Sequence, residues 1–432
     1  MVCTKMNFLV FLEFLLVTFS HGASHVPRTV GQISVQYPAF TAFIPNKSDS
    51  TKYHLAISSF DAIPLSSDYV FYIQNFVSPA SVNIQKLNNK NLVWPNEAIY
   101  IENSIFNAKL DPFGGLIVAG GFLVPTKSNG GVYYYPFASE DRSTITNSAP
   151  ILLSEDSQDK TAWFYHRARH VDLNGDGTLD FLTCRTHKPI VGSTLVELIG
   201  LIYDASSQSF KVNVIAKDVC DVFFEVSDVD RDGRFEIIAS GFFIKQLNLI
   251  YSDDAKNSFT NGNTKTKTID SNAGNLFDIG IYNLDNQGNL ELLVTNHQGN
   301  KDNIKGSIYY YTLTGTVRGG SWNRFTIYDN FPVLKSGANQ AAPGGAKTFT
   351  PLTNDKSSLP SILLSGDGAE YSYLFEPSYE NNVLKYNLTW TEYYKGFTVG
   401  QISIADINND GYMEFVVPLY EDNTVKVYTF AP

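Results

Sequence analysis

Four stretches of the chain carry oxygen-bearing side chains at one shared spacing: VDLNGDGTLDFL from Val171, SDVDRDGRFEII from Ser227, YNLDNQGNLELL from Tyr282 and ADINNDGYMEFV from Ala405. Counted from Asp172, Asp228, Asn283 and Asp406, such side chains fall at positions 1, 3, 5 and 9, with a glycine at position 6. Calcium takes roughly six to eight oxygens at about 2.3–2.6 Å, and a glycine lets the chain turn sharply enough to converge alternate side chains on one point. The candidate metal ligands are Asp172, Asn174, Asp176 and Asp180; Asp228, Asp230, Asp232 and Glu236; Asn283, Asp285, Gln287 and Glu291; and Asp406, Asn408, Asp410 and Glu414. Thr178, Arg234, Asn289 and Tyr412, at position 7, would add backbone carbonyls. An EF-hand is excluded by spacing, because position 12 is Thr183, Ala239, Val294 or Val417 rather than a bidentate Glu. One such loop would mean little, since any turn favours Asp, Asn and Gly. Copies repeated in phase, each before a β-prone run, point to calcium as a cofactor that stiffens hairpins. Carboxylates number four in the Asp228 loop, three each in the Asp172 and Asp406 loops and two in the Asn283 loop, so the last is the weakest site.

The loops must be held by a repeating scaffold. Their first residues lie 56, 55 and 123 residues apart, and the last interval is two units wide. PLTNDKSSLPSILLSG from Pro351 fills it, keeping the loop length and the strand but not the carboxylate pattern. Worn copies upstream, from Ala108 and Phe43, bring the total to seven. Each loop leads into a Tyr-rich strand, at 69–73, 132–136, 198–204, 247–253, 308–313, 371–377 and 425–430. Helical patterning is nearly absent, and Gly, Asn, Asp, Ser and Pro fill the gaps between β-branched and aromatic runs. The expected fold is all-β: a seven-bladed β-propeller of four-stranded antiparallel blades. The last blade has three strands of its own, so the N-terminal segment 30–37 is expected to supply its outer strand and close the ring. Arg169, Glu225, Gly280 and Ser403 share a column of the first strands that is expected to look toward the channel mouth.

The loops from Asp172, Asp228 and Asp406 resemble the repeat of the FG-GAP and VCBS propellers, the family that includes the integrin α-subunit headpiece. As architecture the resemblance covers the mature chain, with sharp motifs in three or four of seven units. Phe113-Gly114-Gly115 is a trace of the FG signature, and the GAP half has no counterpart. The resemblance implies calcium in the hairpins between first and second strands. The same propeller type occurs in secreted fungal lectins and in sugar-modifying enzymes, so fold alone assigns no function.

Residues 1–22 read as a secretory signal peptide, with Lys5 ahead of an apolar run from Phe8 to Phe19 and the small residues Ser20 and Gly22 placed for cleavage. That run is about twelve residues where a spanning helix needs about twenty. Residues 25–432 are therefore expected to form a secreted extracellular propeller with no membrane span, as a monomer. A net charge of −11 with no basic cluster interleaved with aromatics argues against nucleic acid. Cys184 and Cys220 remain after cleavage; they could pair, or be the buried free thiols common in strands. Asn46-Lys-Ser48 and Asn387-Leu-Thr389 are glycosylation acceptors on chemical grounds.

The one dense polar constellation is Tyr165-His166-Arg167-Ala168-Arg169-His170 with Arg185 and His187 on the next strand. His166, Arg169, Arg185 and His187 together could bind an acidic sugar, a phosphate or a transition metal. The plainer reading makes His170 a packed, satisfied histidine in an otherwise apolar column and the arginines partners of the adjacent acidic loop. No Ser-His-Asp order, phosphate loop, HExxH or CxxC pattern occurs elsewhere. The expectation is a calcium-stabilised, non-catalytic extracellular binding or matrix protein whose partner is a glycan, a protein or a mineral matrix. The alternative is a carbohydrate-active lyase or dehydratase working from the His/Arg cluster.

Overall fold

Seven four-stranded antiparallel sheets account for the seven repeats. The computed structural model describes residues 25–432 apart from 81, 104, 107–110, 155–160, 255, 257, 261, 289, 300–304, 337–339 and 356; the signal segment and Asn289 lie outside the described residues. Blade one comprises Pro38–Pro45, Tyr53–Ser59, Tyr69–Ile73 and Ile84–Lys86. Blade two comprises Pro95–Ile101, Gly115–Gly120, Val132–Pro136 and Ile151–Leu152. Blade three comprises Phe164–Val171, Asp180–His187, Leu195–Asp204 and Ser209–Lys217. Blade four comprises Phe223–Ser227, Glu236–Ser240, Leu247–Ser252 and Thr264–Asp270. Blade five comprises Leu276–Tyr282, Glu291–Asn296, Gly306–Thr314 and Ser321–Phe331. Blade six comprises Ala346–Phe349, Ser361–Ser365, Tyr371–Glu380 and Val383–Tyr393. Blade seven comprises Ser403–Ala405, Glu414–Leu419, Thr424–Thr429 and, as its outermost strand, Arg28–Ser34. Among the described residues no helix is long and apolar enough to cross a membrane.

The sequence chooses these elements by burial. Second strands carry runs such as LIVAG at 116–120, LLV at 292–294 and FVVPL at 415–419 that are apolar at every position because a neighbouring blade covers each face. The outer strand Val383–Tyr393 faces solvent on one side and so alternates at its start. Each of the seven clusters of buried apolar side chains lies between two adjacent blades, so the core is a ring of seven layers. The layer between blades seven and one contains Ile33 and Val35 beside Leu55, Ile57, Val416 and Val427. Residues 28–34 reach it by pairing antiparallel with 424–429, a slightly earlier span than the 30–37 read from sequence.

In blades three, four, five and seven the first strand carries the chain from the axial channel to one face, where the Asp/Asn/Gly loops sit. His166 and Asp172 are six residues apart in the sequence, about 20 Å of extended strand, so the channel mouth and the loops occupy opposite faces.

Candidate functional site

The four Asp/Asn/Gly loops share one internal frame. The acid at position 9 accepts the backbone N–H of position 2 in all four: Asp180 from Leu173 at 3.1 Å, Glu236 from Val229 at 3.2 Å, Glu291 from Leu284 at 2.7 Å and Glu414 from Ile407 at 3.0 Å. Asp172, Asp228 and Asp406 each accept N–H groups from positions 5 and 6, where the glycine (Gly177, Gly233 or Gly411) lies at a positive φ of 83–89°. The Asp228 loop fits calcium best. Oxygens of Asp228, Asp230 and Glu236 lie within 4.8 Å of one another, the separation expected of ligands about 2.3–2.6 Å from a shared ion. Asp230 Oδ1 and Glu236 Oε1 are buried without a hydrogen bond, and Glu236 Oε1 has Arg318 Nη2 3.5 Å away as an ion-pair partner, so Asp230 Oδ1 is the oxygen most open to a cation. Asp232 turns away to Arg318 of blade five, 2.7 Å distant, while Val317 N–H donates to Asp230 at 2.9 Å. Burial pushes Asp180 up to about 6 and Glu236, Glu291 and Glu414 up to about 7. In the Asp172 and Asp406 loops the side chains bond one another, Asn174 to Asp176 at 2.9 Å and Asn408 to Asp410 at 3.0 Å. Thr178, Arg234 and Tyr412 donate N–H to the position-5 aspartates, and Gln287 donates its N–H to Asp285. In the Asn283 loop, Asn283 Oδ1 is buried and unbonded.

The channel axis is built by three bulges in the first strands. Between Pro95 and Ala98, between Tyr165 and Ala168, and between Leu276 and Ile279 two residues oppose one on the second strand. A bulge breaks the two-residue alternation and re-aims side chains. Each inserts a pair whose first member lines a cavity at the channel mouth (Asn96, His166, Phe277) and whose second member (Glu97, Arg167, Asp278) joins a plug of charge below it. Arg167 is fully buried and is the hub. It forks onto Glu97 at 2.7 and 2.9 Å, reaches Asp278 at 2.9 Å and Glu225 at 2.9 Å, and donates to the carbonyls of Phe224 and Ile279. Arg169 forks onto Glu225 at 3.0 and 2.7 Å and meets Glu97 at 2.8 Å. Burial opposes ionising Glu97, but the two guanidiniums outweigh it and hold its carboxyl well below the usual range. Below the plug a second chamber of about 340 Å3 is lined by Glu97, Lys347, Tyr282, Thr41 and Ser403 among others.

Above the plug lies a funnel of about 310 Å3 with aromatic walls: Phe40, Phe60, Trp94, Phe122, Phe223, Phe277 and Tyr420. Trp94 is sandwiched between Phe60 at 4.0 Å and Phe122 at 5.2 Å, which locks this arc of the wall. His166 stands edge-on to Phe122, Phe164 and Phe223, its Nδ1 unbonded, and burial together with the Arg167 charge pushes it down to about 3. His297 stacks on Phe277 and donates Nδ1–H to the Pro343 carbonyl at 2.8 Å, leaving Nε2 3.9 Å from Asp367. Gly345 permits the close approach of its backbone to the floor, since a Cβ there would lie 2.8 Å from Asp278 Oδ2.

The His/Arg cluster read from sequence is not one group. His166 lines the funnel and Arg169 belongs to the plug. Arg185 forks onto Glu197 at 2.9 and 2.7 Å and lies over Trp163, and His187 bonds the Ala162 carbonyl at 2.9 Å. The cause is pleating: Arg169 pairs with Leu182 and Arg185 with Tyr165, and residues three apart on a strand point to opposite faces. His170 is exposed, not packed. Cys184 and Cys220 form a disulfide, their Cα atoms 5.7 Å apart, joining the second strand of blade three to the connection into blade four. Asn46 is buried, with Nδ2 donating to Asn75 and Oδ1 accepting from Ser48 and Asp49. Asn387 is exposed on the outer strand of blade six. Glu97, Asp278, His297 and the aromatic wall escaped sequence reading. One signal was available, because the column two residues before Arg169, Glu225, Gly280 and Ser403 is Arg167, Phe223, Asp278 and Gln401.

These features define a seven-bladed β-propeller with an aromatic funnel at one mouth of a plugged channel and acidic hairpin loops at the other face. No family model matches the chain, and no curated protein matches it. Solved structures that it resembles include the Dos1 propeller, at 11% identity and TM-score 0.47 over 94% of this chain and 96% of that one. An α-L-arabinanase of Penicillium chrysogenum complexed with arabinobiose aligns at 9% identity and TM-score 0.45, over 93% and 97%. A glucose dehydrogenase aligns at 9% and TM-score 0.39, over 79% and 97%. At these identities the likeness is one of fold.

Proposed function

We propose that this chain is a secreted, calcium-stabilised propeller of the FG-GAP/VCBS kind that acts as a non-catalytic extracellular binding protein and takes a glycan or similar small organic ligand in its axial funnel. The observation that carries the reading is an aromatic wall around a cavity of about 310 Å3 whose floor arginines are all engaged. Flat rings accept the apolar face of a sugar ring, and Asn96, Ser365 and Gln401 stand among them as hydrogen-bonding groups. The lyase or dehydratase alternative has less support, because Arg169 and Arg185 are each forked onto a carboxylate and offer no free cation to an acidic sugar. The disulfide supports an oxidising compartment.

A panel of mono- and oligosaccharides, read by ligand-observed NMR, should contain binders. Phe122→Ala and Phe277→Ala should each weaken binding by roughly ten- to a hundredfold. Binding that survives both substitutions, or turnover of the bound ligand, would sink the reading. Calcium is tested separately by melting with calcium and with chelator. At free calcium of ten times Kd each site adds about 1.4 kcal/mol, so three sites add about 4. With an unfolding entropy of roughly 0.9 kcal/mol/K for a chain this long, the midpoint should rise by about 5 °C. Equal midpoints would remove calcium from the proposal.

A further inference from the structure

The carboxylates of the funnel are unequally compensated. Asp278 is paired with Arg167 at 2.9 Å, and Glu421 lies 3.0 Å from Lys335. In the plug, Arg167 and Arg169 face Glu97, Glu225 and Asp278, and Lys347 supplies the missing positive charge from the chamber beneath. Asp367 is different. Among the described residues its only ion-pair partner is His297 Nε2 at 3.9 Å, which carries charge only when protonated. Its side chain keeps 27% of its exposure while lining the funnel, so a bound molecule can reach it. Burial raises its pKa, the mark of a carboxylate short of positive charge. The backbone at Asp367 is held at a φ of +52°, a left-handed turn conformation that Asp and Asn adopt more readily than other side chains.

We infer that the funnel selects an organic ammonium ligand, whose positive nitrogen lies against Asp367 while its apolar shell meets the aromatic wall. This rests on the funnel being the ligand site. Two physical terms converge on it. Ring faces of Phe40, Phe122 and Phe277 carry the negative end of the aromatic quadrupole, which attracts an organic cation beyond the apolar contact that a neutral molecule also gains. A neutral ligand that filled the funnel would strip water from Asp367 and return no charge, whereas an ammonium group replaces the lost hydration with an ion pair. The volume, at the low end of the roughly 300–1,000 Å3 usual for ligand sites, suits one small ring or a short chain bearing the amine. The same chemistry could arrive as a quaternary ammonium or as an amino sugar.

The test uses the whole mature chain and two matched pairs of probes titrated by calorimetry: choline against its uncharged carbon isostere 3,3-dimethylbutan-1-ol, and glucosamine against glucose. The charged member should bind at least about tenfold more tightly in one or both pairs, and the pair with the tighter binding identifies the source of the amine. Asp367→Asn should abolish the preference, and because Asn tolerates positive φ the turn and the melting temperature should be kept. Equal binding within both pairs, or a preference that persists in Asp367→Asn of unchanged melting, overturns the inference. If neutral members bind and are lost in Phe277→Ala while charge makes no difference, the ammonium assignment falls and the funnel reading stands. If no probe binds, the ammonium assignment falls and the saccharide panel decides the funnel.

Discussion

His166→Phe should make the protein less sensitive to acid, and the size of the effect can be worked from the site. The imidazole is buried among three aromatic rings beside the Arg167 guanidinium, and burial and that charge push its pKa down to about 3 from an ordinary value near 6.5. Between those values the unfolded chain binds a proton that the folded chain refuses. The contribution is therefore complete above pH 6.5 and is lost as pH falls toward 3. At 1.36 kcal/mol per unit the loss approaches about 5 kcal/mol at pH 3 and is about 2 kcal/mol at pH 5. Two kcal/mol against an unfolding entropy of roughly 0.9 kcal/mol/K is a little over 2 °C in melting temperature. Other titrating groups, Asp221 and the loop acids among them, shift both proteins alike, so the quantity to read is the difference in melting temperature between variant and parent. That difference should grow in the variant's favour by about 2 °C from pH 7.5 to pH 5. Phenylalanine also removes the unbonded Nδ1, so the variant should be no less stable than its parent at pH 7.5. A difference that stays constant across this pH range would refute the argument.

Arg167→Met should destabilise the fold by about 3–5 kcal/mol in urea unfolding, because it strands Asp278 without its ion-pair partner in a buried plug and leaves Glu97 only Arg169; a loss below about 1 kcal/mol would show that the plug is not structural. Deleting residues 25–34 should remove the outer strand of blade seven and the buried Ile33, and size-exclusion chromatography should show association through the opened edge at 424–429, whereas an unchanged monomer with native melting would refute the closure. Replacing Cys184 and Cys220 with alanine should cost about 3–4 kcal/mol from a loop of 36 residues, read under non-reducing conditions; no change would mean that the bridge constrains nothing the fold does not already fix.

What could be read from the sequence divides along a physical line. The blades were legible because they solve recurring problems in the same way: a second strand covered on both faces is built around an apolar run, and a hairpin that gathers oxygens needs Asp or Asn at alternate positions with Gly to turn. Those constraints repeat, so their signal adds from blade to blade. The funnel and the plug have no such redundancy. Glu97, Arg167 with Arg169, Glu225 and Asp278 come from four blades and meet only when those blades assemble around the axis. Three of the four are aimed by bulges, at 96–97, 166–167 and 277–278, where the two-residue alternation that sequence reading depends on is broken. The bulge also explains why Arg167 rather than Arg169 is the hub: the extra residue carries it to the axis one step above its neighbour, while Arg185 and His187 stay on the far face of the blade. A propeller therefore hides its axial chemistry in its departures from regular pleating. In this chain those departures place an aromatic group or a hydrogen-bonding group at the mouth and a charge in the plug beneath it in the same step.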